Sequence, residues 1–148
     1  MFKHILVPVD GSELSRAAAM QACGFARETG ARLTFYHALP EYFPSALTGD
    51  ALFDDATTYQ AFHAAMARQS ARILDEMAGI AREAGVDFAV VSGESDTPYR
   101  GIVETAEQRH CDLIFMASHG RRGASALLLG SETQKVLTHC RIPVMVYR

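Results

Sequence analysis

The residues with the greatest chemical potential run from Ala117 to Thr133: Ala117-Ser118-His119-Gly120-Arg121-Arg122-Gly123, then Gly130-Ser131-Glu132-Thr133. Gly120 and Gly123 let a backbone come close to a ligand and take positive φ. Gly130-Ser131 opens a helix, and the free N–H groups of a helix start attract an anion. Arg121 and Arg122 add guanidinium groups that match phosphate oxygens. A glycine-lined loop that runs into a helix N-terminus is a phosphate cradle. The plainer reading of the same residues is a connection shaped by glycines and a helix capped by Ser131. The segment has no Gly-Lys-Ser/Thr and is therefore not a Walker A loop. Gly11 stands alone after the first apolar run, so the dinucleotide fingerprint is absent as well.

Other reactive residue types are present without the spacing their chemistry needs. His4, His37, His63, His110, His119 and His139 form no HExxH and no short paired spacing, so no metal site is expected. Ser118, His119 and Asp10 are the residue types of a hydrolytic triad, but no GxSxG elbow presents the serine. No nucleophile or general base has an evident orienting partner, so efficient catalysis is not expected, slow hydrolysis of a bound nucleotide aside. Cys23, Cys111 and Cys140 are far apart and odd in number, which fits buried apolar thiols in a reducing compartment, the cytoplasm.

The chain of 148 residues is 49% hydrophobic and 21% charged, the balance of one folded domain over residues 1–148. Its formal net charge of −3 argues against a broad nucleic-acid face. No apolar run is long enough to span a bilayer. The short apolar start lacks a small-residue cleavage site, so no secretory signal and no membrane association are expected.

Periodicity supplies the elements that must position the loop. Lys3 to Val9 reads as a buried strand, and Ser12 as the cap of a helix with Leu14, Ala18, Ala22 and Phe25 on one face. Gly30 falls where a left-handed helix end is expected. Arg32 to Leu39 is a second strand. Residues 40–56 form a long connection with Tyr42, Phe43, Leu47, Leu52 and Phe53 beside Asp50, Asp54 and Asp55. Local packing and a lid or partner surface are equally open readings of it. A helix over Thr57 to Ala84 presents Phe62, Met66, Ile73, Met77, Ile80 and Ala84, and ends at Gly85. Val86 to Ser92 is a third strand. Thr97-Pro98 starts a helix with Ile102, Val103 and Ala106 inward. Asp112 to Met116 is the fourth strand. Ser131 to Gln134 has the pattern of a capping box, with Val136, Leu137 and Cys140 inward. Ile142 to Arg148 is the last strand. The β-α alternation predicts five parallel strands with right-handed crossovers and helices on both faces. Ligands bind such sheets at the carboxyl ends, where the strand order reverses.

The loop also resembles the ATP-binding signature of the universal stress protein family, Gly-x2-Gly-x9-Gly-Ser/Thr. Gly120, the nine residues Arg121 to Leu129, Gly130 and Ser131 match it, and Ala117 stands in place of the first glycine. Ile5 to Ser12, Cys111 to Met116 and Ile142 to Val146 are similar to the family as well. The resemblance implies a Rossmann-like fold of the adenine nucleotide alpha hydrolase kind. It implies ATP, ADP or AMP, with Mg²⁺ carried through the phosphates. Pro8 and Asp10 would border ribose and adenine, Ala38 would lie against adenine, and Met116 and Ala117 would floor the pocket. His119, Gly120, Arg121, Arg122, Gly130, Ser131 and Thr133 would surround the phosphates. Glu132 departs from the family's apolar residue, and a carboxylate repels a triphosphate unless it points away or meets a metal.

The expected function is therefore an ATP-dependent regulatory protein of the stress response with a protein partner that the residues do not identify. The alternatives are a dimeric interaction module of the same family without a nucleotide, favoured by Ala117 and Glu132, and a ligase or phosphotransferase on a similar fold. A homodimer through the last strand, Pro143 to Tyr147, is expected because no later element follows to cover its edge.

Overall fold

The computed structural model describes residues 1–41, 56–121 and 128–148. Nine elements alternate: β1 (His4–Pro8), α1 (Glu13–Thr29), β2 (Arg32–Leu39), α2 (Ala56–Ala84), β3 (Phe88–Glu94), α3 (Pro98–Gln108), β4 (Leu113–Ala117), α4 (Ser131–His139) and β5 (Val144–Tyr147). The sheet is five-stranded in the order β3-β2-β1-β4-β5, with every pair parallel. The fold is the expected α/β class. The order reverses between β1 and β4, because the chain runs outward through β2 and β3 and then returns to the other side of β1.

Successive strand residues serve opposite faces, as the two-residue period requires. Ile5, Val7, Leu33, Phe35, Leu113 and Phe115 pack with Ala18, Ala22 and Cys23 of α1 and Ile73, Leu74 and Met77 of α2. Leu6, Tyr36, Ile114 and Met116 pack on the other face with Ile102 and Ala106 of α3 and Val136 of α4. Gly101 lets α3 approach: a Cβ there would overlap the Tyr36 hydroxyl.

Three helices hand over to strands through one device. The expected left-handed glycines close two of them, Gly30 at φ 69° after α1 and Gly85 at φ 68° after α2. After α2, Gly85 N donates to Arg82 O and Val86 N to Ala81 O, both at 3.1 Å. This pair of bonds draws Val86 under the helix end. For that reason β3 begins at Phe88 and runs to Glu94, where the sequence pattern places it over Val86 to Ser92. After α3 the left-handed position is filled by His110 at φ 54°, with Cys111 N donating to Ala106 O at 2.8 Å. Asp112 is not part of β4: its carboxylate accepts from Lys3 N at 2.8 Å and His4 N at 3.0 Å and anchors the start of β1.

Some expectations are corrected. Ser131 to Gln134 forms no capping box: Gly130 is the N-cap and makes no side-chain bond, and the Gln134 amide donates to Leu129 O at 2.8 Å. Leu137 is 43% exposed rather than inward. Val103 and Cys140 are only half-buried, whereas Cys23 and Cys111 are buried. The connection from Tyr42 to Asp55, with its open choice between packing and lid, lies outside the described residues, as do Arg122 and Gly123.

Candidate functional site

β1 delivers Asp10 to the switch point. Val9 N still donates to Tyr36 O at 2.8 Å, and Gly11 then turns the chain at φ 80°. Ser12 caps α1 as expected, its hydroxyl oxygen accepting from Ser15 N at 3.1 Å. The Asp10 carboxylate faces back across the turn. Oδ1 accepts from Ser12 N at 2.9 Å, and Oδ2 accepts from Arg121 N at 2.9 Å. The start of the glycine loop therefore rests on the end of β1. Burial pushes the Asp10 pKa up, but hydrogen bonds from Ser12, Ser15 and the Arg121 amide outweigh it and hold the carboxyl below its ordinary value.

β4 delivers the other wall. Met116 and Ala117 are buried, and Ala117 keeps strand geometry opposite Tyr147. Among the described residues the positive-φ positions are Gly11, Gly30, Gly85 and His110, so the alanine at 117 stands where no left-handed backbone is needed. Beyond it, Ser118 N donates to Tyr147 O and Gly130 N to Ser118 O, each at 2.7 Å. This brings the two ends of the glycine loop together. A Cβ on Gly130 would stand 3.0 Å from His119 Cα. Ser118 is buried, and its Oγ lies 3.1 Å from Nδ1 of the neighbouring His119.

α4 starts directly at this junction. Thr133 is buried and its hydroxyl donates to Ala117 O at 3.1 Å, tying the first turn to β4. Ser131 is exposed. Glu132 turns outward: Oε2 accepts from Tyr99 N at 2.8 Å and Oε1 pairs with Lys135 Nζ at 2.7 Å. Tyr99 is in the first turn of α3, whose own N-cap Thr97 makes no side-chain capping bond to the helix. Glu132 therefore caps α3 from a neighbouring helix, and its charge leaves the mouth of the crevice.

The structure thus joins Asp10, Gly120 and Arg121 in one contact group and Ala117, Ser118, His119, Gly130 and Thr133 in a second beside it. Pro8 ends β1 and Ala38 is next to last in β2, paired with Tyr36 and Gly93. Neither is hydrogen-bonded to the loop among the described residues.

Gln69 and Ser70 escaped the sequence reading, which weighed His37 only as a metal ligand. With its amide oxygen turned to Arg121, Gln69 of α2 accepts from Nη1 at 3.0 Å and Nη2 at 3.3 Å. Next to it, Ser70 Oγ lies 2.9 Å from Nδ1 of His37 on β2, and both side chains are buried. Burial lowers the His37 pKa; Asp10 acts to raise it and Arg121 to lower it. The only sequence signal for His37 was a polar residue inside an apolar strand. Among the described residues no group of three or more His, Cys, Asp or Glu could hold a metal ion. No helix among them is long and apolar enough to cross a membrane.

Fold and site together define a doubly covered parallel α/β protein. It has a carboxylate, a glycine loop and a helix start at its switch point. The model of the universal stress protein family matches residues 1–148, and the chain belongs to that family. A universal stress protein of Thermus aquaticus is 33% identical over 151 residues, covering 100% of both chains. Among solved structures, a universal stress protein in complex with cAMP superposes with a TM-score of 0.72 at 22% identity, covering 99% of this chain and 97% of that one. The Archaeoglobus fulgidus universal stress protein in complex with dAMP gives 0.67 at 16% identity, covering 100% and 98%.

Proposed function

We propose that this universal stress protein binds an adenine nucleotide, ATP first among them, across the carboxyl ends of β1 and β4. It acts as a nucleotide-dependent regulator in the cytoplasm, as one nucleotide-binding domain over residues 1–148. The observation that carries this reading is the start of α4. Gly130 caps it without a side chain, and the amides of Ser131, Glu132 and Thr133 have no acceptor among the described residues. Unpaired first-turn amides with the helix dipole behind them suit an anion. The donor set fits phosphate: the first-turn amides, the Ser131 hydroxyl, and the guanidinium groups of Arg121 and Arg122. Mg²⁺ would be carried by the phosphates, which supply its oxygen ligands when a nucleotide is bound. Related structures held cAMP and dAMP, which supports the adenine class.

The two features that favoured a module without nucleotide weigh less in the fold. Ala117 keeps strand geometry, and Glu132 points to α3 and Lys135. Titration calorimetry of nucleotide-stripped protein with ATP–Mg²⁺ tests the reading, and saturable one-site binding is expected. No heat with ATP, ADP, AMP or cAMP would return the protein to the interaction-module alternative.

A further inference from the structure

Arg121 is held at its backbone by β1 and at its side chain by α2. Its amide N donates to Asp10 Oδ2 at 2.9 Å. A guanidinium carries donors only, so the Gln69 amide meets it with oxygen, and Nη1 at 3.0 Å and Nη2 at 3.3 Å donate to that one atom. The turn of α2 that carries Gln69 is itself fixed to the sheet. Ser70 Oγ lies 2.9 Å from His37 Nδ1, and both side chains are buried. Arg121 is exposed and Gln69 half-buried, so the contact draws a long, rotamer-rich side chain onto the body of the protein.

The form of the contact matters for an anion. Both Nη groups converge on one oxygen, which occupies the end of the guanidinium. Three of its five N–H donors remain, and two of these, on Nε and Nη2, lie parallel along the adjacent edge. Such an edge is the fork that grips two oxygens of a phosphate. The partner is also neutral. A carboxylate at position 69 would offset the charge that attracts phosphate, whereas an amide oxygen orients the guanidinium and leaves its charge intact. Among the described residues no ion pair takes Arg121.

We infer that Gln69 is a positioning residue for phosphate, which pre-sets the Arg121 guanidinium for the phosphate chain of the bound nucleotide. This rests on the nucleotide-binding reading and adds to it a residue of α2, outside the glycine loop. Ordering one such side chain beforehand spares the ligand that cost and is worth about two- to tenfold in affinity. Adenosine, which has no phosphate, gains nothing from it.

The test is calorimetry with ATP–Mg²⁺ and with adenosine on wild type, Gln69→Ala, Arg121→Ala and the double variant, each first shown to be folded by circular dichroism. Gln69→Met keeps the side-chain length and lacks the amide oxygen, so it serves if the alanine variant does not fold. The expected result is that Gln69→Ala lowers ATP affinity by about two- to tenfold and leaves adenosine affinity within about twofold of wild type. In the Arg121→Ala background the same substitution should cost ATP nothing further, because Gln69 acts through the guanidinium. If adenosine binds too weakly to titrate, this cycle on ATP decides alone. Equal losses for both ligands, an equal loss with Arg121 already removed, or no loss for ATP would overturn the inference. A gain for ATP would overturn it as well, by showing that Gln69 withholds the guanidinium from phosphate. If wild type binds neither ligand, the nucleotide-binding reading fails and the inference falls with it. If wild type binds ATP and the variants depart from the expected pattern, the inference alone fails.

Discussion

His110 holds a backbone conformation that glycine takes without strain. Its φ of 54° ends α3 so that Cys111 N can reach Ala106 O and β4 can begin. A non-glycine residue there costs about 1–2 kcal/mol. His110→Gly is therefore expected to raise stability by about 1 kcal/mol in urea denaturation, because His110 is exposed and gives up little packing. A decrease would show that the side chain contributes more than its backbone costs. Gly130 gives the opposite sign. From sequence alone, a side chain at 130 is expected to block phosphate and spare the fold. The structure puts that side chain against the His119 backbone at 3.0 Å. Gly130→Val should thus destabilise by about 1–3 kcal/mol, whether or not a ligand is present. The arginines give a cleaner reading of phosphate. Arg121→Ala with Arg122→Ala should lower the calorimetric affinity for ATP more than that for adenosine, since guanidinium acts on phosphate oxygens. Equal losses for both would assign the pair to loop support.

At the scale of elements, α3 and α4 are coupled by one side chain. Glu132 of α4 accepts from Tyr99 N in the first turn of α3, where Thr97 fails to cap. Glu132→Ala should cost about 1 kcal/mol of stability, as an N-cap loss does, and leave nucleotide affinity within error. A large change in affinity would mean that the carboxylate acts on the crevice after all. β2 is pinned to its neighbours by histidines kept neutral. Burial and Arg32 lower the pKa of His4, whose Nε2 meets Thr34 Oγ1 at 2.8 Å, and burial lowers that of His37 on Ser70. A histidine whose pKa falls on folding stabilises fully above its unfolded value and loses that contribution as pH falls through the folded value. Thermal stability should therefore decline as pH drops below about 6.5, and His37→Gln should flatten that slope. An unchanged slope in the variant would leave His4 as the group responsible.

At the scale of the molecule, the strand order leaves β3 and β5 as edges. β5 has only four residues, all half-buried, with β4 on one side. We propose that a second copy pairs along Pro143 to Tyr147, because among the described residues no strand pairs with the outer side of β5, and such an apolar edge is a template for another chain. Val144→Lys with Val146→Lys should convert the dimer to a folded monomer in light scattering. Wild type that is monomeric at micromolar concentration removes this proposal, and an unaltered dimer in the double variant moves the interface away from β5.

Local physics made much of this protein legible before any coordinates. β-branched runs alternating with amphipathic runs dictate a parallel α/β sheet, because each strand must bury two faces. Glycine after a helical pattern marked the ends of α1 and α2, since αL geometry is nearly reserved for it. The same reasoning missed the end of α3, where histidine takes the position and the Cys111 bond sustains it. The phosphate-cradle pattern was visible because glycines, arginines and a helix start are contiguous in the chain. Asp10 was legible as a residue at the carboxyl end of the first strand, the edge where such sheets bind ligands, but its partner on the loop was not. Asp10 and Arg121 are 111 residues apart and meet because β4 returns to lie beside β1, an order that no local preference encodes. The direction of Glu132 was likewise undetermined until α3 and α4 packed side by side and offered it an uncapped amide. Helix and strand are decided by neighbours in the chain. Which carboxylate meets which amide is decided by strand order and helix packing, and at this site those contacts carry the chemistry.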